Sequence, residues 1–265
     1  MSSRPQIVAT IGPSSDKPEV LKAMIEAQVD VARFNFEWFD EQVTGHKIEV
    51  FRATATECGR AIPIIADFPR SRVQLAEGHT YDASLPFSIS SQEEEMLQFC
   101  VENKIEYIAL SFVGSSEDVA RYREAIATHK GAQKIIAKIE RKVAVDAIDE
   151  IIAVSDAVMV ARGDLGKEVP LEQIPFIQKM IITKANIAQI PVITATQMLF
   201  SMVEHSEPTR AEVADVAEAI MDGSDAVMLS EETASGHFPV ESVMMMNRIV
   251  IETERRQAEH SLNPL

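Results

Sequence analysis

Eight short apolar runs recur along the chain, and this rhythm limits the possible folds more than any other feature. The runs are rich in Val, Ile and Ala and alternate with amphipathic helical patterns. Near-continuous apolar runs suit the strands of a parallel sheet that is covered on both faces. They are QIVATIG from Gln6, VDVARFNF from Val29, IPIIADF from Ile62, IEYIALSF from Ile105, KIIAKIE from Lys134, DAVMVAR from Asp156, IPVITATQ from Ile190 and DAVMLS from Asp225. Eight strand-helix units predict an α/β fold of the closed (β/α)8 TIM-barrel type.

The length of 265 residues suits one such barrel as a single domain over residues 1–265. No GxGxxG motif follows the first run, so nothing favours a dinucleotide-binding sheet instead. The longest irregular connection covers residues 69–90, between the third and fourth runs. It could form a small β-ribbon, but it is too short for a domain of its own.

The overall charge limits the choice of partners. A net charge of -16 argues against nucleic acid or an anionic membrane as a partner. Cys58 and Cys100 lie far apart within helical patterns, which indicates reduced thiols. The N-terminal segment lacks a basic region followed by a long apolar run, and no run approaches the length of a membrane span. We therefore expect a cytoplasmic protein.

The segment from Lys134 to Asp164 contains the first candidate site. Lys138 and Glu140 are two residues apart on a predicted strand, so their side chains point the same way. Asp164 follows the next predicted strand, where its carboxylate could meet that of Glu140. Two carboxylates and an ammonium at the ends of neighbouring strands are typical of a hard-metal site with a cation beside it. The alternative is a solvated ion pair at a strand end.

Other polar residues stand at the carboxyl ends of the remaining predicted strands. If the strands close into a barrel, these residues form one site on one face, because that face carries the active site of such barrels. The set comprises Thr10, Arg33, Asn35, Asp67, Ser111, Lys138, Glu140, Arg162, Asp164, Thr196, Gln197, Ser230 and Glu232.

Several segments together resemble the catalytic barrel of the pyruvate kinase family. They cover most of the chain in the family's order, and the combination of ARGDLG, PTRAEV and MLSEETA is highly specific. The matching segments are IVATIGPSS from Ile7, VARFNF from Val31, LSFVGSSEDV from Leu110, IIAKIE from Ile135, VMVARGDLG from Val158, ITATQML from Ile193 and PTRAEVADVAEAIMDGSDAVMLSEETASGHFP from Pro208.

The resemblance implies roles for individual residues. Lys138 would stand beside the transferred phosphoryl group and the enolate, while Glu140 and Asp164 would bind Mg²⁺ or Mn²⁺. Arg33 matches a phosphate-binding arginine of the family. The residues expected to bind the substrate are Arg72, Ser111, the backbone N–H groups of Ala161, Arg162, Gly163 and Asp164, and the hydroxyl of Thr196.

The chain also departs from the family's pattern. The family's lid domain, inserted after the third strand, and its C-terminal domain are both expected to be absent. Glu37 and Phe68 replace two residues expected at a potassium site, whereas Asn35 and Asp67 remain. We expect Arg70 to supply a fixed charge in place of potassium, paired with Glu37, so that K⁺ is not required; the alternative is that Arg70 points into solvent.

Three functions fit these residues. The first is a metal-dependent lyase or aldolase that forms or consumes the enolate of pyruvate or a related 2-oxo acid such as oxaloacetate. Its proton donor would be Thr196 through water, with Glu37 as a possible base. The second is a minimal pyruvate kinase acting on phosphoenolpyruvate and ADP, and the third is a noncatalytic binder of phosphoenolpyruvate or pyruvate. Trp38 either stacks on a substrate or packs in the core or an interface, and a homo-oligomer is expected.

Overall fold

The eight predicted strands form a closed parallel barrel. The computed structural model describes residues 4–69, 73–75, 78–80 and 89–262, with backbone alone at 73–75, 78–80 and 260–262. Neighbouring strands follow the order β1-β10-β9-β8-β7-β6-β3-β2, and β2 returns to β1. The barrel strands are β1 (Gln6–Ile11), β2 (Val31–Asn35), β3 (Ile64–Phe68), β6 (Tyr107–Leu110), β7 (Lys134–Ile139), β8 (Ala157–Ala161), β9 (Val192–Ala195) and β10 (Ala226–Leu229). The predicted TIM barrel is confirmed.

Several strands begin one or two residues later than their apolar runs. β9, for example, begins at Val192, whereas its run begins at Ile190. Gln189, just before that run, has a φ of 57°, and the N–H of Ile190 still bonds the carbonyl of Ala185 in the preceding helix. The first residues of the run therefore complete the helix-to-strand turn, which their hydrophobicity alone does not reveal.

Two apolar layers hold the barrel together. Side chains that point inward fill its interior, among them Val8, Ile65, Ile136 and Met159. The alternate residues of the same strands point outward and pack against the surrounding helices in a larger core. The interior is therefore closed by side chains, and a ligand must bind at one end of the barrel.

The helices that cover the barrel have recognisable start signals. Pro18 begins α1, and α3 and α9 each begin with a capping box, formed by Ser90 with Glu93 and by Thr209 with Glu212. The α-helices are α1 (Pro18–Glu26), α2 (Glu41–Glu57), α3 (Ser91–Glu102), α4 (Ser116–Thr128), α5 (Lys142–Asp146), α6 (Ile148–Val154), α7 (Arg162–Glu168), α8 (Ile174–Ile187), α9 (Arg210–Met221), α10 (Glu231–Ala234) and α11 (Pro239–Leu262).

The crossover between β7 and β8 differs from the single helix that the sequence predicts from the apolar spacing of Val143, Ile148, Ile151 and Ile152. It consists of two short helices, α5 and α6, which meet at Ala147. Val143 was expected on the apolar face with Ile148 and Ile151, but it is 43% exposed, whereas Ala144 is buried. The break rotates the first segment, so the periodicity of one helix does not extend across it.

The 69–90 connection contains a short antiparallel pair, β4 (Val73–Leu75) with β5 (Gly78–Thr80). This agrees with the predicted ribbon. Arg70 and Arg72 lie outside the described residues, so their expected roles stay predictions. Cys58 and Cys100 are both free thiols. Among the described helices, none combines the length and apolar character needed to cross a bilayer.

Candidate active site

A cavity of about 670 Å³ opens at the carboxyl ends of the barrel strands. Its wall contains most of the residues that the sequence assigned to the site, namely Arg33, Asn35, Glu37, Asp67, Lys138, Glu140, Ala161, Asp164 and Thr196. Parallel strands of a barrel all end at the same face, which brings together residues that are far apart in sequence. Arg162, Gly163 and Ser111 are not part of the wall that lines this cavity.

Lys138 is the central cation of the site and is buried. Its Nζ lies 3.0 Å from Asp67 Oδ1 and 3.0 Å from Glu140 Oε1, and it donates to Ser111 Oγ at 2.8 Å. Burial alone would lower the pKa of Lys138, but the two carboxylates outweigh that effect and raise it. Lys138 is therefore an ammonium at neutral pH, and Ser111 accepts a hydrogen bond from this ammonium rather than lining the cavity.

Asp67 joins two cationic side chains of the protein through its carboxylate. The sequence assigns it to a monovalent-ion site or a replacement for one, and that role stays a prediction. Arg33 Nε donates to Asp67 Oδ2 at 2.8 Å, and Lys138 occupies the other oxygen. Burial raises the pKa of Asp67, yet the attraction of Arg33 and Lys138 is stronger and lowers it. Two cations of the chain itself therefore already neutralise this carboxylate.

Asn35 and Phe68 stand at two other positions of the expected ion site. Asn35 Oδ1 accepts the backbone N–H of Glu37 at 3.1 Å, so it caps the turn that follows β2. Phe68 points away from the cavity, because it neighbours the inward-facing Asp67 on the same strand. It stacks on Phe36 with ring centroids 5.6 Å apart. Phe68 therefore offers no contact to an ion in the cavity, and the expected independence of K⁺ stays a prediction.

Glu140 and Asp164 form a carboxylate pair in the cavity wall. Glu140 is 2% exposed, and its Oε2 accepts the N–H of Phe112 at 2.6 Å. Burial raises the pKa of Glu140, and although Lys138 opposes this, the charges of Asp67 and Asp164 add to the rise. Asp164 is less buried and pairs with Lys167 at 2.7 Å. A cation placed between Glu140 and Asp164 would relieve their repulsion.

Thr196 lies opposite the start of α7. Its Oγ1 accepts the N–H of Gly163 at 2.8 Å and donates to the carbonyl of Ala195 at 2.6 Å. The sequence predicted that this N–H and this hydroxyl together receive a substrate carboxylate. In the structure the two groups bond each other, so a carboxylate would have to share or replace that bond.

The outer part of the cavity was largely missed by the sequence reasoning. Trp38 is 79% exposed there, which rules out the core as its place. Lys47 also lines the cavity, and it pairs with Asp16 at 3.1 Å. The signal for Lys47 was its position four residues after Val43 on α2, which places both side chains on one helix face. The remaining lining residues include Thr44, Glu231 and Ser235.

Comparisons with known proteins agree with this architecture. A family model described as pyruvate kinase, barrel domain, matches residues 2–87 and 79–243. The pyruvate kinase of Thermococcus litoralis is 35% identical over an alignment of 333 positions, which covers 96% of this chain and 70% of that protein. Those of Sporosarcina psychrophila and Geobacillus stearothermophilus are 35% and 34% identical over 94% and 96% of this chain. The chain spans 57% and 58% of those two proteins. It belongs to the pyruvate kinase family, with the barrel domain as the part it shares.

Proposed function

We propose that the chain acts on pyruvate and its enolate, and that phosphoryl transfer between phosphoenolpyruvate and ADP is the first activity to test. The relatives support testing phosphoryl transfer first, because all three are named pyruvate kinases. The observation that carries the proposal is the buried Lys138 ammonium in the cavity wall, 3.0 Å from Glu140. A fixed positive charge there would stabilise a developing enolate or phosphoryl oxygen.

Glu140 and Asp164 fit a divalent cation as its protein ligands. Among the described residues, no group of three or more His, Cys, Asp or Glu could hold a metal. Mg²⁺ needs only one or two carboxylates, because waters and substrate oxygens complete its coordination. Burial is the main cause of the raised pKa of the Glu140 carboxyl, and the charges of Asp67 and Asp164 add to the rise; a bound cation would offset those charges. When bound, the ion would supply Lewis-acid stabilisation of an enolate oxygen, and Mg²⁺ and Mn²⁺ both suit oxygen ligands.

The remaining groups then have separate tasks. Lys138, held as an ammonium by Asp67 and Glu140, supplies charge rather than acting as a base. Arg33 borders the cavity within hydrogen-bond reach of Thr10 Oγ1, at 3.0 Å, and would contact an anionic substrate. Thr196 would relay a proton through water, and Glu37 is a second candidate for proton transfer.

A direct assay tests the kinase activity. The protein is incubated with phosphoenolpyruvate, ADP and Mg²⁺ or Mn²⁺, and ATP formation is followed. We expect formation that depends on the metal and falls by a factor of about 100 or more in Lys138→Met. Lys134→Met is the matched control, because Lys134 lies on the same strand but is exposed at its opposite end. Equal activity in Lys138→Met and wild type would contradict the role of this ammonium.

A lyase or aldolase acting on a 2-oxo acid is the second candidate, and the outer cavity favours it. Glu37, Glu231 and Trp38 line that region, and Lys47 already pairs with Asp16. A polyphosphate would meet carboxylates there. The two matched ranges of the family model overlap at residues 79–87. This overlap lies within the connection that we propose stands in place of the lid domain.

Deuterium uptake into the methyl group of pyruvate separates the two candidates. Metal-dependent exchange or loss of oxaloacetate, without ATP formation, supports the lyase. Rapid ATP formation would contradict the lyase proposal. Binding of pyruvate with no chemistry in either wild type or Lys138→Ala would point to the noncatalytic binder. The same assays, run with and without K⁺, test whether the ion is required. Sedimentation tests the expected homo-oligomer.

A further inference from the structure

The turn that carries Thr196 has an unusual backbone conformation. Thr196 and Gln197, directly after β9, have φ values of 70° and 53°. Two consecutive residues other than glycine in the left-handed region are uncommon, and a β-branched threonine is especially unfavourable there. Such a conformation persists only where surrounding contacts impose it. Contacts around the Thr196–Gln197 turn must therefore hold it in this conformation.

The guanidinium of Arg162 makes those contacts. Nε and Nη2 donate to the carbonyl of Thr196 at 3.2 and 2.8 Å, and Nη2 also donates to the carbonyl of Gln197 at 3.1 Å. Both carbonyls belong to the left-handed residues. The Arg162 side chain is only 9% exposed, so its guanidinium is largely shielded from water, although Gln197 itself is exposed. A planar, multidentate donor suits this task in a way that a lysine ammonium does not.

Asp215 on α9 anchors the other edge of the same guanidinium. Arg162 Nη1 lies 2.7 Å from Asp215 Oδ1 and 2.6 Å from Oδ2. Gln178 on α8 accepts from the same nitrogen at 3.3 Å. A continuous set of bonds therefore links α8 and α9 to the Thr196–Gln197 turn. Because Arg162 does not line the cavity, its effect on the site must pass through that turn.

We infer that Arg162, held by Asp215, is a positioning residue that fixes the left-handed Thr196–Gln197 turn and so sets the hydroxyl of Thr196, which lines the cavity, against the N–H of Gly163. The inference rests on the proposed function in one respect, namely that Thr196 faces the substrate. It extends that function by assigning the side chain of Arg162 a task apart from the substrate-binding role expected of its backbone N–H.

The first test needs no activity. Hydrogen exchange at the Gly163 amide, measured by NMR, reports the bond to Thr196 Oγ1. We expect exchange about tenfold faster in Asp215→Asn and in Arg162→Met, the equivalent of one lost hydrogen bond. Lys179→Met is the matched control, because Lys179 joins the same helix pair through Asp222 at 2.6 Å without touching the turn. Unchanged exchange at Gly163 in both variants would overturn the inference.

The second test uses turnover of whichever substrate the wild type accepts. We expect kcat to fall by about a hundredfold in Arg162→Ala, with little change in the metal concentration needed for half-activity. Added guanidinium, well below denaturing concentrations, should restore part of kcat in Arg162→Ala but not in Thr196→Ala. Faster Gly163 exchange with unchanged kcat would overturn the positioning role. A wild type without turnover would instead contradict the proposed function. The exchange rate of the Gly163 amide would still show whether Arg162 holds the turn.

Discussion

Asp67 is the residue on which the charge balance of the site depends. It is 2% exposed and accepts from both Arg33 and Lys138, so one carboxylate is shared by two neighbouring cations. Removing one member of a buried ion network usually costs more than the network contributed, because the remaining charges lose their partner. The position of Lys138 therefore depends on Asp67 as much as on Glu140.

Asp67→Asn should lower the free energy of unfolding by about 3 to 5 kcal/mol at neutral pH. The folded-state pKa of Asp67 lies below its usual 3.8, so its stabilisation is present above that value and is lost as the pH falls through the folded pKa. The acid limb of the stability curve, measured by urea unfolding between pH 7 and 2, should flatten in the variant.

Asp146→Asn is the control for that experiment. Asp146 pairs with Lys142 at an exposed site, so its loss should change stability by less than about 0.5 kcal/mol. If Asp67→Asn had an equally small effect, the assignment of Asp67 as the shared counter-ion would be wrong.

At the scale of single elements, α9 connects helix capping to the site. Thr209 Oγ1 accepts the N–H of Glu212 at 3.3 Å, and Glu212 Oε2 accepts the N–H of Thr209 at 2.7 Å. The same Glu212 accepts the N–H of Ser201 at 2.6 Å. The first turn of α9 is thus fixed to the segment after β9, and the helix then presents Asp215 to Arg162.

Thr209→Ala should lower the free energy of unfolding by about 1 kcal/mol, because the N–H of Glu212 loses the Thr209 hydroxyl that accepts it. Thr128→Ala, at the exposed end of α4, is the matched control and should have little effect. Thermal unfolding of both variants measures the difference. Equal melting temperatures would show that the capping box adds nothing to the stability of α9.

The sequence predicted these elements well where a periodic pattern existed. Apolar runs identified every barrel strand, and their shared direction predicted that Lys138, Glu140 and Thr196 would lie on one face. Side-chain partners on neighbouring strands were harder to foresee, because the contact between Arg33 on β2 and Asp67 on β3 depends on side-chain conformation. The orientation of Arg162 was unforeseeable for a similar reason, since an arginine after a strand can face either the cavity or the helices.

At the scale of the whole molecule, the barrel closes where β1 meets β10. Gly12, just after β1, lies against α10, and a Cβ on it would be 2.6 Å from the carbonyl oxygen of Ala234. Real Cβ atoms do not approach a backbone oxygen so closely, so the backbone would have to move. The glycine therefore permits the contact between the first strand and the last loop of the barrel.

Gly12→Ala should destabilise the protein by about 1 to 3 kcal/mol through this overpacking. Gly45→Ala is the matched control, because a Cβ there would meet Phe99 at an ordinary 3.6 Å within α2. That change should stabilise the protein by about 0.5 to 1 kcal/mol. Denaturant unfolding of both variants would show opposite signs, and a stabilising Gly12→Ala would contradict the close contact.

Divalent cations should stabilise the folded chain if Glu140 and Asp164 bind them. At a hundredfold excess over the dissociation constant, the gain is about 2.7 kcal/mol. Melting curves with and without Mn²⁺ measure it, and Asp164→Asn should remove most of the shift while Asp146→Asn retains it. A shift that survives Asp164→Asn would place the ion elsewhere.

The pairing of β1 with β10 also bears on how the chain is made. Gln6 pairs with Ala226, so the hydrogen-bonding edge of the first strand stays open until more than two hundred further residues have been translated. During that interval the nascent chain presents an unpaired strand edge, which invites association with other chains. Synthesis in the cell should therefore depend on chaperones that shield this edge until the ring is complete.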